Sequence, residues 1–236
     1  MIELKNITRT YSLGGETIYA LNSVSLSIKE GEFLAIVGPS GSGKTTLANI
    51  IGGLDEADSG DVIVDNMHLA KTSDNDLSEY RNKKIGFVFQ SFNLQPTFTA
   101  LENVMLPALF SKMKPADRKE KAEKCLKAVG LEDRMNHKPS ELSGGQRQRV
   151  SIARALMNDP EIIIADEPTG NLDSKKGQEI MALLRELNKR TDITLIIITH
   201  DPNVARLADR VIAIQDGNIA GLPHGRIAGS PGRQMG

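Results

Sequence analysis

Gly38-Pro39-Ser40-Gly41-Ser42-Gly43-Lys44-Thr45 is the stretch that decides the fold, because it matches the phosphate-loop pattern G-x-x-x-x-G-K-[ST]. The apolar run at residues 33–37 precedes it and is typical of a buried strand, and residues 46–51 predict a helix after it. Glycines let successive backbone N–H groups point at phosphate oxygens, and the helix adds the positive end of its dipole. The stretch therefore predicts a nucleoside triphosphate site between a strand and a helix.

Each polar side chain of this loop has an expected role. Lys44 would reach the β- and γ-phosphates, and the Thr45 hydroxyl would hold Mg²⁺. The alternative is a glycine-rich strand-to-helix turn with a solvated lysine, which the flanking strand and helix disfavour. The residues expected to contact nucleotide here are Gly38, Ser40, Gly41, Ser42, Gly43, Lys44, Thr45 and Thr46.

Composition limits the classes of protein that remain. The 236 residues suit one large domain, or a core with an inserted subdomain. The 29 basic and 30 acidic residues nearly balance, so no overall charge draws the protein to nucleic acid. A single cysteine excludes an intrachain disulfide framework, and four scattered histidines disfavour structural zinc. No apolar run approaches the about 20 residues of a membrane span, and the N-terminus lacks a signal-peptide layout, so a soluble cytoplasmic protein is expected.

Residues 2–30 predict antiparallel strands that turn at Gly14-Gly15. Tyr11 lies just before that turn and is one of only three tyrosines. Its ring suits stacking on an adenine face and equally suits capping the edge of a small sheet. Both interpretations remain open at the level of sequence.

Three later strands end in polar residues. Residues 85–89 end at Gln90, which would point into the ligand crevice of an α/β sheet or be an ordinary strand-end glutamine. Asp166 and Glu167 follow a continuously apolar strand, where an acidic turn is the alternative; Asp166 is placed to hold Mg²⁺ through water and Glu167 to deprotonate an attacking water. His200 ends the strand at 195–199 and would contact the γ-phosphate or simply be a hydrogen-bonded structural residue.

Between these strands, residues 91–158 change to helical patterning and predict an inserted subdomain. Thr99 and Glu102 form a capping box, and after Pro115 a charged helix carries one apolar face that includes Cys125, expected as a small core residue. Leu142-Ser143-Gly144-Gly145-Gln146 then begins another helix. A plain N-cap explains the serine but not the paired glycines and glutamine, so this is interpreted as a second phosphate-binding helix terminus.

With both glycine-rich loops and the acidic strand, the chain resembles the ATP-binding subunit of an ABC transporter over residues 1 to about 220. The matching positions are Tyr11, the loop 38–45, Gln90, the signature 142–146, Asp166, Glu167, the Gly170–Asp173 loop and His200. The resemblance implies an α/β fold: a P-loop NTPase (RecA-like) core with a mainly parallel sheet, an N-terminal antiparallel β subdomain and an inserted α-helical subdomain. The implied boundaries are a cassette at 1–220, with its core at 1–90 and 159–220 and the helical part at 91–158. Residues 221–236 are expected to form a disordered tail.

The resemblance also implies a mechanism. Two copies would pack head to tail around two ATP molecules, with Ser143 and Gly145 of one copy on the γ-phosphate held by Lys44 of the other. Catalysis would use Glu167, His200 and Lys44, and Mg²⁺ would be held by Thr45, Gln90 and Asp166. Tyr11, Gln90, Ser143, Gly145 and Gln146 would complete the nucleotide contacts.

Residues 92–104 and the compact size resemble the lipoprotein-release and macrolide-export branch, whose ATPases act on a separate transmembrane permease. This stretch would lie against the cytoplasmic helices of that permease, although part of it must also pack the helical subdomain. The protein would then sit at the inner face of the cell membrane. The alternative is a regulatory ATPase of the cell-division type, which moves no solute; DNA-repair ATPases with these motifs need coiled coils or zinc cysteines that are absent here.

Overall fold

The computed structural model describes residues 1–111 and 113–220, and these residues build two β-sheets. The strands are β1 (Ile2–Leu13), β2 (Glu16–Ile28), β3 (Phe33–Val37), β4 (Ser59–Val64), β5 (Met67–His68), β6 (Ile85–Phe89), β7 (Ile162–Asp166), β8 (Thr194–Thr199), β9 (Arg210–Gln215) and β10 (Asn218–Ala220). The α-helices are α1 (Lys44–Ile51), α2 (Asp74–Lys83), α3 (Ala100–Met105), α4 (Pro115–Ala128), α5 (Gly144–Ala155), α6 (Ser174–Thr191) and α7 (Pro202–Ala205). Short 3₁₀ turns lie at Leu69–Lys71, Leu106–Phe110, Glu132–Arg134 and Pro139–Glu141.

The larger sheet has the strand order β10-β9-β3-β8-β7-β6. Strands β9, β3, β8, β7 and β6 pair in parallel, and only β10 runs antiparallel to its neighbour. Every residue of β8 is buried, as expected for a central parallel strand covered on both faces. The expected mainly parallel sheet is confirmed, and its carboxyl ends share one edge, where α/β folds bind ligands.

Two apolar clusters hold the layers together. One joins a face of the large sheet to helices α3–α6 through residues such as Leu126, Ile152 and Leu184. The other joins the opposite face to α1 and the small sheet through residues such as Ile7, Leu47 and Ile196. The large sheet therefore lies between a helical layer and a mixed layer that contains the phosphate-loop helix.

The small sheet has the antiparallel order β2-β1-β4-β5, as expected for the N-terminal subdomain. A Ser-Gly pair such as Ser59-Gly60 is typical of a turn, but Ser59 pairs with Thr8 of β1 and β4 begins there. Gly60 has φ +95°, and a Cβ on it would lie 2.5 Å from the Asn6 carbonyl oxygen. The backbones of β4 and β1 approach so closely there that only glycine fits at position 60.

The segment between β6 and β7 is helical as expected. Thr99 and Glu102 form the predicted capping box of α3, and Ala122, Cys125, Leu126 and Val129 are all buried. Burial raises the pKa of the Cys125 thiol to about 11, so the thiol stays protonated at neutral pH and acts as a small core residue. The subdomain limits at 91 and 158 stay predictions, and the expected tail at 221–236 lies outside the described residues.

Across the described ranges, no helix is long and apolar enough to cross a membrane.

Candidate active site

The phosphate loop joins β3 to α1 in a tight path. Gly43 precedes the helix at φ 103°, and a Cβ there would lie 2.1 Å from the Ala20 carbonyl oxygen, so only glycine fits. Ser42 and Lys44 are buried, and the Lys44 ammonium donates to the Pro39 carbonyl oxygen at 2.7 Å. The lysine therefore folds back over its own loop, with its charge where the loop and the helix N-terminus would receive phosphate.

The carboxyl end of β7 lies beside this loop. The Thr45 hydroxyl donates to the Asp166 carboxylate at 3.2 Å, which brings together two residues from opposite halves of the chain. Burial raises the pKa of Asp166 and neighbouring Glu167 adds to the rise, whereas the Thr45 hydrogen bond and the Lys44 charge oppose it. A desolvated carboxylate next to a hydroxyl is a set of hard oxygen donors, which fits Mg²⁺.

No group of three or more His, Cys, Asp or Glu side chains within residues 1–111 and 113–220 forms a metal site of protein ligands alone. A cation held by Thr45 and Asp166 would therefore need further oxygens from a nucleotide. That sharing is the usual way in which Mg²⁺ is held in nucleotide sites.

Glu167 is the next residue and has a different environment. Its backbone has φ +46°, in the left-handed region that is uncommon for a residue with a side chain. Its carboxylate accepts hydrogen bonds from the His200 backbone N–H at 3.1 Å and from the Thr199 hydroxyl at 3.4 Å, and lies 2.7 Å from His200 Nδ1. The strained backbone and three contacts from Thr199 and His200, at the end of β8 and just after it, fix the direction of this carboxylate.

Gln90 follows β6, the strand that pairs with β7 so that Phe89 faces Asp166. The Asn171 side-chain amide donates to the Gln90 carbonyl oxygen at 2.9 Å. A Cβ on Gly170 would lie 2.6 Å from Gln90 Nε2, so this glycine allows the glutamine amide to pack against the 170–171 turn. The structure thus places Gln90 at the same sheet edge as Asp166, next to the loop after β7.

Helix α5 begins at the second glycine-rich motif. The Ser143 hydroxyl accepts from the Gln146 backbone N–H at 3.3 Å, and the Gln146 side chain accepts from the Ser143 backbone N–H at 2.9 Å. This capping box accounts for the glutamine, so the expectation that helix capping could not explain Gln146 is wrong. Its contact with nucleotide stays a prediction.

Ser143 is exposed, and Gly145 packs against Lys176 at the start of α6, where an added Cβ would lie 3.4 Å from the lysine Cδ. Among the residues described here, no hydrogen bond or ion pair joins 143–146 to the phosphate loop at 38–45. Within the described residues the chain therefore has two helix N-termini suited to anions that make no polar contact with each other.

Tyr11 lies on β1 and is 41% exposed. Its hydroxyl donates to Asp55 at 2.5 Å, and the Arg9 guanidinium carbon lies 5.0 Å from the ring centroid. The exposed ring is compatible with stacking and with edge capping, so neither interpretation is removed by its position. The sequence reasoning missed both partners: Arg9 is detectable as the residue two before Tyr11 on one strand face, but Asp55 is remote and gives no local signal.

The loop after Gln90 is also held by residues that the sequence reasoning did not single out. Arg154 of α5 donates to the carbonyl oxygens of Phe92 at 2.8 Å and Asn93 at 2.5 Å, and Arg147 lies over the Phe92 ring. Phe92 and Asn93 have φ of 60° and 49°. The helix that carries Ser143 is therefore tied directly to the loop that carries Gln90.

Comparison with known proteins gives one consistent result. The family described as ABC transporter matches residues 21–170, more than half of the chain. The ABC transporter ATP-binding protein MJ0796 of Methanocaldococcus jannaschii is 55% identical over 223 residues, covering 93% of this chain and 95% of that protein. The macrolide export ATP-binding/permease protein MacB of Pasteurella multocida is 50% identical over 219 residues, which are 93% of this chain but only 34% of MacB.

Solved structures agree with these relatives. A dimeric post-hydrolysis state of the MJ0796 ATP-binding cassette, bound to ADP and Pi, is similar with a TM-score of 0.85 and 53% identity. That similarity covers 93% of this chain and 96% of the other. A second dimeric MJ0796 structure, described as a bacterial ABC transporter cassette, gives the same TM-score at 54% identity.

Proposed function

The chain belongs to the ABC transporter family, and we propose that it binds and hydrolyses ATP between two copies of itself to drive a separate membrane permease. The observation that carries this proposal is the pair of helix N-termini at Lys44 and Ser143, which lie on separate parts of one chain. A two-fold dimer brings the phosphate loop of each copy to the signature of the other. The dimeric cassettes of MJ0796, one of them bound to ADP and Pi, support the same arrangement.

The residues of the site divide the reaction between them. Lys44 and the loop amides would bind the phosphates, and Glu167, directed by His200, would accept a proton from the water that attacks the γ-phosphate. Ser143 and Gly145 of the second copy would stabilise negative charge that develops on the γ-phosphate oxygens. Mg²⁺, held by Thr45 and Asp166 with Gln90 nearby, would neutralise phosphate charge when bound.

A permease partner is supported by the relatives and by a surface cleft. MacB carries its ATP-binding and permease parts under one name, and this chain corresponds to about a third of its length. A cavity of about 260 Å³ opens between α2 and α5, lined by residues that include Asn82, Phe89, Pro107 and Arg154. Leu109 and Phe110 belong to the same 3₁₀ turn as the lining residue Pro107 and are 53% and 84% exposed.

Exposed apolar side chains at the rim of a cleft are typical of a protein interface, and this one would receive a cytoplasmic helix of the permease. Arg154 lines the cleft and also holds the loop after Gln90, so a helix seated there would contact the residues that position the nucleotide site. The cassette would then lie at the cytoplasmic face of the membrane. Export names among the relatives favour a transport role over the regulatory one.

The direct test is the Glu167→Gln variant. An amide cannot accept the proton, so ATP should bind but persist, and the variant should elute as a dimer with MgATP and as a monomer with MgADP. Wild type should release phosphate from ATP at a measurable rate, and Lys44→Ala should neither dimerise nor hydrolyse. Monomers alone with MgATP in the Glu167→Gln variant would contradict the proposal.

A further inference from the structure

Arg9 and Tyr11 point the same way from β1, because residues two apart in a strand share a face. The Arg9 guanidinium carbon lies 5.0 Å from the centroid of the Tyr11 ring, within the range of a cation–π contact. The ring is 41% exposed although the guanidinium covers one of its faces. Because the guanidinium lies over one face of the ring, a base would have to stack on the opposite face.

Arg9 is held firmly in this place. Its Nη2 donates to Asp55 Oδ1 at 2.6 Å and its Nη1 donates to Asp58 Oδ1 at 2.8 Å. Asp58 in turn accepts from the backbone N–H of Thr10 at 2.6 Å and from the Thr10 hydroxyl at 2.7 Å. The Tyr11 hydroxyl donates to the second oxygen of Asp55 at 2.5 Å, so Asp55 fixes both the cation and the far end of the ring.

The two carboxylates come from the loop that follows α1. The backbone N–H groups of Leu54 and Asp55 donate to the Asn49 carbonyl oxygen at 2.8 and 3.3 Å, which fastens this loop to the helix. Helix α1 begins at Lys44 of the phosphate loop. The Tyr11 ring is thus tied to the same rigid element that would receive the phosphates of a nucleotide.

We propose that Arg9 is a positioning residue for the nucleotide base: it backs the Tyr11 ring on one face and presents the other face to the base. This inference rests on the proposed function, because it needs the phosphates of that nucleotide to be bound by the loop 38–45. The order of the stack is guanidinium, tyrosine ring, base. Both Asp55 and Asp58 form ion pairs with Arg9, so it acts through the ring and not on the phosphates.

This arrangement makes a prediction that separates the base from the phosphates. Arg9→Ala removes the backing of the ring and should weaken binding only of ligands that carry a base. The probes are MgADP and magnesium pyrophosphate, measured by calorimetry, since neither is consumed. We expect Kd for MgADP to rise about threefold to tenfold, the size of one stacking or cation–π contact, and Kd for pyrophosphate to stay within about twofold.

Three further variants keep the test decisive. Tyr11→Ala should weaken the binding of MgADP at least as much as Arg9→Ala does. The Kd of Arg9→Lys for MgADP should lie between those of Arg9→Ala and wild type, because lysine keeps the charge but lacks the planar guanidinium. Arg185 is a matched control: it lies 5.2 Å from the Phe33 ring centroid and pairs with Asp209 at 2.6 Å, so Arg185→Ala loses the same kinds of contact elsewhere. It should leave both dissociation constants unchanged.

The outcomes are distinct. If wild type fails to bind MgADP, the proposed function itself fails. If wild type binds MgADP, and Tyr11→Ala weakens that binding but Arg9→Ala does not, the proposed role of Arg9 is overturned. Equal weakening of MgADP binding and pyrophosphate binding in Arg9→Ala also overturns the proposed role. That pattern indicates general damage to the domain, which a lower melting temperature of the same samples would show.

Discussion

Asp166 and Glu167 are adjacent in the chain, yet the structure gives them different surroundings. Asp166 ends β7, is desolvated and lies 3.2 Å from the Thr45 hydroxyl, whereas Glu167 has a left-handed backbone and is held by His200. Their position after a fully apolar strand was enough to predict both acids at the edge of the sheet. Neither the backbone conformation of Glu167 nor its bond to His200 is encoded in a local pattern, because His200 comes from a different strand.

The raised pKa of Asp166 leads to a prediction about stability. A carboxyl whose pKa is higher in the folded than in the unfolded protein binds its proton more tightly in the folded state. At a pH above both pKa values, its ionised form therefore lowers the free energy of unfolding. Asp166→Asn removes this charge and keeps an oxygen for the Thr45 hydroxyl. We therefore expect the nucleotide-free variant to melt about 2 °C higher than wild type at neutral pH.

The same variant should lose its response to ligand. Adding MgADP should raise the melting temperature of wild type and leave that of Asp166→Asn nearly unchanged, because the variant lacks the carboxylate proposed to hold the cation. Differential scanning calorimetry with and without MgADP measures both effects. If Asp166→Asn melts at a lower temperature than wild type, and MgADP raises its melting temperature as much as that of wild type, this explanation of Asp166 is refuted.

At the scale of elements, the sequence predicted nearly all of the strands and helices because each carries a strong local signal. The alternation in β2, the apolar runs of β7 and β8 and the Thr99–Glu102 capping box are such signals. The Ser-Gly pair at 59–60 resembles a turn in the sequence, although it lies inside β4. The contacts of Asp55 with Tyr11 and of Arg154 with Phe92 could not be predicted, since they join segments far apart in the chain.

The 3₁₀ turn Leu106–Phe110 exposes an apolar side chain that we expect to take part in docking to the permease. Phe110 is 84% exposed beside the cleft proposed for the permease, so Phe110→Ser should cost little stability but remove apolar contact area from the interface. A tagged Phe110→Ser chain, expressed in its source cells, should shift from the membrane fraction to the soluble fraction.

The matched control for that experiment is Leu207→Ser, because Leu207 is also exposed, at 47%, but follows α7 and lies outside the 3₁₀ turn that contributes Pro107 to the cleft. It should distribute as wild type does. If both variants stay with the membrane fraction, or both leave it equally, Phe110 has no special part in docking. Thermal melting of both purified chains confirms that they are folded.

At the scale of the whole molecule, the account depends on an incomplete site. The phosphate loop, Asp166 and Glu167 meet at one edge of the large sheet. Ser143 instead is exposed at the start of α5, and Gly145 is buried against Lys176 of α6. In the proposed arrangement each copy would contribute parts of two different reaction centres. A two-fold dimer would complete both centres at once, which would explain why one chain carries two helix N-termini suited to anions.

Mixing two inactive variants tests this claim most directly. Lys44→Ala lacks a working phosphate loop and Ser143→Arg lacks a working signature, so each alone should be inactive. When equal amounts are mixed, a dimer that contains one copy of each variant has one intact centre out of two. The account predicts that phosphate release, absent from each variant alone, recovers to roughly a quarter of the wild-type rate or more. No recovery, although mixed dimers form, would contradict it, because a centre built within one chain cannot be repaired by its partner.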